Sequence, residues 1–238
     1  MNKIILIETS TALCSVALCD DGKVIAYRES SAPKAHASLT AVFVDEVLKE
    51  AGIKLSDCSA VCVSEGPGSY TGLRVGASTA KGLCFGAKLP LLAVGTLDIL
   101  ARQAILKGLV PEGCKYIVPM IDARRMEVYT AVFNADGKRL DETQAKVIDG
   151  ESFKDFLAEG KVLFIGDGAG KCQATKPEDE GKKINSANAV FAQCNPEASS
   201  MASLAEAALE AKDYKDVAYF EPFYLKEFVA TVSKKKFF

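Results

Sequence analysis

Residues 64–76 read Ser-Glu-Gly-Pro-Gly-Ser-Tyr-Thr-Gly-Leu-Arg-Val-Gly, between a predicted strand at 61–63 and a predicted helix that continues to about residue 86. Glycine allows positive φ, and the N-terminus of a helix favours negative charge. The stretch is neither a Walker A loop nor a Gly-x-Gly-x-x-Gly loop, so anion binding and a purely structural turn both stay open. The glycine-rich loop comprises Gly66, Pro67, Gly68 and Ser69.

A helix face without bulky side chains follows this loop. Gly72, Gly76 and Ala80 recur at four-residue spacing and therefore share one side of the helix. A face of small residues lets another element approach closely. Two alternatives stay open at this stage: the face packs onto the sheet of its own chain, or it contacts a partner or a second copy.

The segments before and after the loop alternate between strand and helix patterns. An Asp-Gly turn at residues 21–22 indicates a hairpin, and the first half reads as β-β-β-α-β-α-β-α. The predicted strands are 3–9, 13–19, 24–29, 61–63 and 91–94, and the predicted helices are 36–50, 71–86 and 97–107.

A second α/β pattern begins after the Val-Pro-Glu-Gly break at residues 110–113. Like the first, it opens with strands and tight turns, which predicts a duplicated unit with domains at 1–109 and 110–238. We expect the C-terminal segment to pack back on the N-terminal half. The predicted strands are 116–121, 127–133, 144–148 and 162–165, the helices are 152–157 and 200–212, segment 166–188 is irregular, and the tail at 234–238 is frayed.

Composition and charge exclude several classes of protein. The 238 residues include 29 Lys and Arg and 31 Asp and Glu, and 49% are hydrophobic. This balance argues against disorder, and a net charge of −2 argues against a globally basic nucleic-acid binder. No apolar run reaches the roughly 18–20 residues of a membrane helix, and Glu8 interrupts the N-terminal run too early for a signal peptide. We expect a cytoplasmic protein without membrane contact.

Metal sites are limited by the residue counts. His36 is the single histidine, so this chain cannot supply a His-x-x-x-His pair, and we predict a surface or capping role for it. The eight cysteines include no Cys-x-x-Cys pair, which favours buried reduced thiols over a zinc site. We therefore predict no metal site.

The motifs resemble those of a known family. Residues 64–76 are similar to the signature of the TsaB family of tRNA threonylcarbamoyladenosine biosynthesis proteins, and the stretches at 7–10, 122–129 and 222–225 match it in the same order. The resemblance implies membership of the superfamily of acetate and sugar kinases, Hsp70 and actin. It thus implies an α/β fold of two duplicated actin-like, ribonuclease H-like subdomains, with mixed sheets flanked by helices.

The resemblance also implies a role as a subunit. TsaB proteins pair with the catalytic relative TsaD and, with the ATPase TsaE, support threonylcarbamoyl transfer to the adenosine beside the tRNA anticodon. Thr96 and Leu100 stand where the catalytic relative has metal-binding histidines. We therefore expect no catalytic residue, no cofactor of its own, and ATP or ADP only within the complex.

The resemblance places the partner interface on the first two helices, and isolated family members self-associate through the same surface. Under this interpretation, Gly76→Leu leaves the fold largely intact and breaks the complex. The predicted interface residues are His36, Leu39, Phe43, Tyr70, Thr71, Gly72, Arg74, Val75, Gly76, Thr79 and Ala80.

An ATP-dependent small-molecule kinase of the same superfamily is the alternative. Glu8 stands where such kinases place a magnesium-organising aspartate, although it also suits a turn-stabilising role. Asp122 holds the equivalent place in the second half, where we expect an ion pair with Arg124 or Arg125. Residues 166–170 suit either a nucleotide contact or a plain turn, and the lysines at 234–236 suit either tRNA phosphates or solvent.

Overall fold

The structure, a computed structural model, describes residues 2–226. Its secondary structure follows the predicted order in the first half and departs from it at three places in the second. Strands are β1 (Lys3–Glu8), β2 (Cys14–Asp20), β3 (Lys23–Ser30), β4 (Ala60–Gly66), β5 (Leu91–Gly95), β6 (Cys114–Asp122), β7 (Glu127–Thr130), β8 (Phe133–Asn134), β9 (Gln144–Val147), β10 (Lys161–Ile165) and β11 (Ala189–Ala192). Helices are α1 (Ala35–Glu50), α2 (Tyr70–Ala87), α3 (Thr96–Leu106), α4 (Lys154–Glu159), α5 (Ala169–Cys172) and α6 (Ala202–Glu210), with 3₁₀ turns at Leu55–Asp57, Pro177–Asp179 and Ala198–Met201.

The two sheets share one topology. The first has the order β3-β2-β1-β4-β5, in which the central β1 pairs antiparallel with β2 and parallel with β4. The second has the order β11-β10-β6-β7-β9, in which β6 likewise pairs antiparallel with β7 and parallel with β10. The duplicated α/β unit that the sequence predicts is thereby confirmed, with helices flanking two mixed sheets.

Two predicted elements of the second half need correction, and one strand there was not predicted. The strand expected at 127–133 is divided into β7 and β8, because the amide of Val132 donates to Asp141 Oδ1 (2.5 Å) instead of continuing the ladder. Segment 166–188 contains the short helix α5, and β11 was not predicted. Four residues between polar stretches carry little periodicity, and β11 forms because β10 offers it a parallel partner. The tail at 234–238 lies outside the described residues.

Helix α3 joins the two halves. Its Ile99 is buried with Ile4 and Leu6 of β1, in the core of the first sheet. Leu97 and Leu100 are buried with residues of the second sheet, including Phe133. A helix that is buried on both sides in this way couples the two cores.

The C-terminal helix covers the first sheet rather than the second. Met201, Ala202 and Ala205 are fully or almost fully buried against β1, β2 and β5. The chain therefore returns to the N-terminal half after β11. Among the helices in residues 2–226, none is long and apolar enough to cross a membrane.

Gln103 of α3 fixes the returning chain. Its side chain has no exposed surface, its Nε2 donates to the carbonyl of Asn195 (2.9 Å), and its Oε1 accepts from the amide of Glu197 (3.0 Å). A buried backbone group that loses its partner costs about 1–3 kcal/mol. Gln103 thus stabilises the crossing between the halves.

We predict that Gln103→Ala lowers the free energy of unfolding by about 3 kcal/mol, because two buried backbone groups lose their partners. Urea unfolding followed by circular dichroism measures this change. Gln144→Ala, at an exposed position of β9, is the matched control and should change stability by less than about 0.5 kcal/mol. Equal stabilities of the two variants would contradict the assignment.

Candidate functional site

The glycine-rich loop packs against the turn that follows β1. The amide of Ser69 donates to the carbonyl of Ser10 (2.6 Å), and Ser69 Oγ caps α2 by accepting from the amide of Gly72 (3.3 Å). A Cβ atom at Gly68 would lie 2.4 Å from the Ser10 carbonyl oxygen. Glycine is needed there because two backbones approach closely.

The small-residue face of α2 continues the same contact. A Cβ at Gly72 would lie 2.0 Å from the Thr9 carbonyl oxygen, and one at Gly76 would lie 2.3 Å from Thr9 Oγ1. Thr9 Oγ1 itself donates to the carbonyl of Gly72 (2.9 Å), and Ala80 is fully buried in the core of the first sheet. Of the two alternatives, the structure supports packing within the chain.

This packing corrects part of the predicted interface. Gly72, Gly76, Ala80 and Phe43 are buried in their own chain and offer a partner little or no surface. The expectation that Gly76→Leu leaves the fold intact is also wrong, since the larger side chain would displace Thr9. A four-residue spacing of small residues indicates close packing but does not indicate what packs there.

The opposite side of α2 is open to solvent. Thr71, Arg74, Ser78, Gly82 and Phe85 are exposed and recur every three or four residues, so they form one stripe, which we call the α2 stripe. Phe85 is 83% exposed, which is unusual for an aromatic side chain, and the sequence analysis missed it. Its position on the side opposite Gly72 and Gly76 is the signal that would have found it.

The remaining predicted interface residues lie beside this stripe and on α1. Tyr70, Val75 and Thr79 are half-buried on α2. On α1, Leu39 packs partly against the core, and His36 places its Nε2 2.9 Å from the carbonyl oxygen of Thr11. Helices α1 and α2 contact each other, so these residues share one side of the molecule with the α2 stripe.

A cleft of about 630 Å³ opens between the two halves. The first wall contains Ser10, Thr11 and the loop residues Pro67, Gly68 and Ser69. The hydroxyls of Ser10 and Thr11 are buried and have no hydrogen-bond partner within residues 2–226. The glycine-rich loop therefore lines a cavity, as an anion-binding loop would, while its glycines serve close packing.

Glu8 lies at the end of β1 and is fully buried. Its Oε1 accepts from the amide of Ser10 (2.5 Å), so the carboxyl stabilises the turn after β1, which was one of its two predicted roles. Burial raises the pKa of the Glu8 carboxyl to about 7, against the opposing effect of the hydrogen bond from the Ser10 amide. Its Oε2 has no partner in the described part of the chain.

The second wall of the cleft is formed by the ends of β6 and β10. Asp122 Oδ1 accepts from Lys171 Nζ (2.5 Å) and from the amide of Arg124 (2.7 Å), so the predicted pair with an arginine side chain is replaced by one with lysine. Asp167 Oδ1 accepts from the amide of Asp122 (3.0 Å), and burial raises the pKa of Asp167. Asp122, Arg124 and Asp167 thus line the cavity.

The remaining positions that the sequence suggested for nucleotide or metal binding lie mostly in packed parts of the chain. Residues 166–168 form a turn against β6, where a Cβ at Gly166 would lie 2.2 Å from the Met120 carbonyl oxygen, and residues 169–170 begin α5. Asp167 of this turn also lines the cleft. Thr96 and Leu100 are fully buried in α3. Within residues 2–226, no group of three or more His, Cys, Asp or Glu side chains is arranged to hold a metal ion.

The family model described as TsaD, tRNA N6-adenosine threonylcarbamoyltransferase, matches residues 29–234, which is most of the chain. The chain belongs to this family. Similar proteins include tRNA threonylcarbamoyladenosine biosynthesis protein TsaB of Escherichia coli K12, 40% identical over 134 residues (56% of each chain), and TsaB of Bacillus subtilis 168, 34% identical over 131 residues (55% of this chain and 54% of that one). The chain spans about half the length of the curated relatives that it matches.

Solved structures agree over nearly the whole chain. YeaZ from Pseudomonas aeruginosa has a TM-score of 0.72 at 26% identity, covering 94% of this chain and 100% of that one. A Pseudomonas aeruginosa protein described as similar to peptidase YeaZ has a TM-score of 0.79 at 28% identity, with 95% and 100% covered. The predicted resemblance to TsaB and the actin-like α/β fold are confirmed.

We predict that Gly72→Ala lowers the free energy of unfolding by about 3 kcal/mol, because the new methyl group overlaps the Thr9 backbone. Gly82→Ala in the same helix is the matched control, since nothing lies within 4 Å of its Cβ position. It should stabilise the protein by up to about 1 kcal/mol through helix propensity. Chemical denaturation measures both, and a Gly72→Ala protein as stable as the wild type would refute the packing.

The raised pKa of Glu8 predicts pH-dependent stability. Below pH 4.5 the carboxyl is protonated in the folded and unfolded states, and stability is lost as the pH rises to about 7, by up to about 3 kcal/mol. Glu8→Gln should lack this loss. Urea unfolding of both proteins from pH 4.5 to 8 measures it, and a constant difference between them across this range would contradict the burial of a protonated Glu8.

Proposed function

We propose that the chain is a non-catalytic subunit of the tRNA threonylcarbamoyladenosine synthesis complex. It pairs with a TsaD-like catalytic subunit, and a TsaE-like ATPase and tRNA join through the complex in the cytoplasm. Membership of the family and the similarity to TsaB proteins support this role. The observation that carries it is the α2 stripe, because a large exposed aromatic side chain on an otherwise well-packed helix is typical of an interface.

The contact surface that we propose is the α2 stripe together with the half-buried Tyr70, Val75 and Thr79 and the adjoining part of α1. It replaces the buried glycines of the sequence prediction with side chains that a partner can reach. The same surface serves self-association when the catalytic subunit is absent, which gives a homodimer of the isolated chain.

A non-catalytic role agrees with the side chains of α3 and the cleft. Thr96 and Leu100 are buried and offer no pair of metal ligands. A nucleotide in the cleft would meet Arg124, but also Asp122 and Asp167, while Lys171 and Lys226 are already paired. This charge balance does not suit a triphosphate. We therefore propose that the chain binds no cofactor by itself and that ATP or ADP binds only within the assembled complex.

The kinase alternative is not favoured by the relatives. It requires an ionised carboxylate to organise Mg²⁺, whereas Glu8 is fully buried and has a raised pKa. A polyphosphate/ATP-glucomannokinase from Arthrobacter shares the fold at 13% identity and a TM-score of 0.51. Isothermal titration of the isolated chain with ATP and Mg²⁺ tests this alternative, and micromolar binding with phosphoryl transfer would favour it.

We predict that Phe85→Arg weakens binding to the TsaD-like subunit at least about tenfold, because the new charge stands on the α2 stripe and must be desolvated. Arginine near the C-terminus of α2 is compatible with the helix dipole, so the fold should persist. Isothermal titration calorimetry with the purified subunits measures the Kd. Sedimentation of the isolated chain should show the same loss of self-association.

Val147→Arg is the matched control, since Val147 is 66% exposed on β9 in the second half. It should bind like the wild type. If Phe85→Arg keeps wild-type affinity while Val147→Arg loses it, the interface lies on the second half and the proposed surface is wrong. If the wild type binds no TsaD-like subunit at all, the proposed function is wrong.

A further inference from the structure

A C-terminal segment crosses from α6 to the mouth of the cleft, and we call residues 214–226 the strap. The amide of Lys215 donates to the carbonyl of Leu91 (2.8 Å), so the strap forms an isolated bridge at the edge of the first sheet. Farther along, the amide of Phe223 donates to the carbonyl of Glu65 at the end of β4 (2.7 Å). Backbone hydrogen bonds thus attach the strap at two points of the first sheet.

Helix α2 holds the middle of the strap. Lys81 Nζ donates to the carbonyls of Ala218 (3.0 Å) and Phe220 (3.1 Å). The side chains of Val217 and Phe220 pack against the core of the first sheet. The strap is therefore held by hydrogen bonds from Lys81, by the packing of Val217 and Phe220 against the core, and by backbone hydrogen bonds to the edge of the first sheet.

The glycine-rich loop also accommodates the strap. Gly66 has a φ of 109°, and a Cβ there would lie 2.8 Å from the Phe223 carbonyl oxygen. At its far end, Lys226 pairs with Glu127 of β7. The strap thereby connects the end of β4 to the second half across the cleft, which it lines with Phe223 to Lys226.

The strap reaches the proposed interface through Tyr224. The ring centroids of Tyr224 and Tyr70 are 4.9 Å apart, at an interplanar angle of 40°. Arg74 Nη1 lies 3.2 Å from Tyr70 Oη, and its guanidinium carbon lies 5.4 Å from the Tyr70 ring centroid. Tyr224 therefore supports the first turn of α2, where an arginine of the α2 stripe is held by a tyrosine.

We propose that the end of the strap, from Phe223 to Lys226, is part of the partner-binding surface, with Tyr224 holding Tyr70 and Arg74 in the orientation that a TsaD-like subunit meets. This inference rests on the proposed function. Side chains that are ordered before binding lose less entropy when the partner arrives. Docking of the strap and binding of the partner are then coupled, and each strengthens the other by the same factor.

The test compares Tyr224→Ala with Tyr219→Ala in the full chain. Tyr219 lies in the strap but is 84% exposed, so the same truncation there leaves the Tyr70 contact in place. Titration with the TsaD-like subunit should give a Kd about three- to tenfold higher for Tyr224→Ala, the loss expected for an aromatic pair, and an unchanged Kd for Tyr219→Ala. Equal affinities of the two variants would overturn the inference.

Hydrogen exchange gives the reciprocal measurement on the wild type. Binding of the partner should slow exchange of the Phe223 amide, which donates a hydrogen bond to the carbonyl of Glu65. Exchange that is the same with and without partner would overturn the coupling.

A second variant keeps the inference testable if Tyr224→Ala does not fold. Lys81→Met removes the two hydrogen bonds to the middle of the strap and keeps Tyr224, and it should also raise the Kd. If the wild type binds the partner and all the variants bind it with the same Kd, only the role of the strap is overturned. Failure of the wild type to bind would overturn the proposed function and this inference with it.

Discussion

The close approach of the Thr9–Ser10 turn to three glycines sets the geometry on which the rest of the site depends. Gly68, Gly72 and Gly76 all lie where a Cβ would overlap this turn. Because backbone meets backbone here, α2 can lie against the end of β1 in only one rotation about its axis. That rotation buries the small residues and turns Arg74 and Phe85 toward solvent. The packing of one turn therefore decides which face of α2 is available to a partner.

The two halves are held together by helices and strap rather than by a shared sheet. Helix α3 contributes to both cores, Gln103 fixes the returning chain, and α6 covers the sheet of the first half. The strap adds a contact across the cleft through Lys226 and Glu127. Apart from the packing of α3, these connections involve the C-terminal part of the chain, which packs on the first half although it follows the second.

Cleft and interface have different physical characters. The cleft between the halves is lined by Asp122 and Asp167 and by Ser10 and Thr11, whose hydroxyls have no hydrogen-bond partner within residues 2–226. The α2 stripe carries an exposed aromatic side chain and an arginine held by Tyr70. In a fold that elsewhere occurs in a kinase, the exposed side chain of Phe85 thus lies on a helix face and not in the cleft.

The sequence by itself determined the duplicated α/β pattern, the order of the strands and helices in the first half, and the family. Strand and helix periods are local properties, and the stretch at 64–76 is specific. The tertiary structure alone decided that Gly72, Gly76 and Ala80 face inward, that Asp122 pairs with Lys171, and that β11 forms beside β10. It also decided that Phe85 is exposed and that Tyr224 reaches Tyr70. The spacing of small residues indicates that another segment can approach the helix closely. Which segment does so depends on contacts between residues that are distant in the chain.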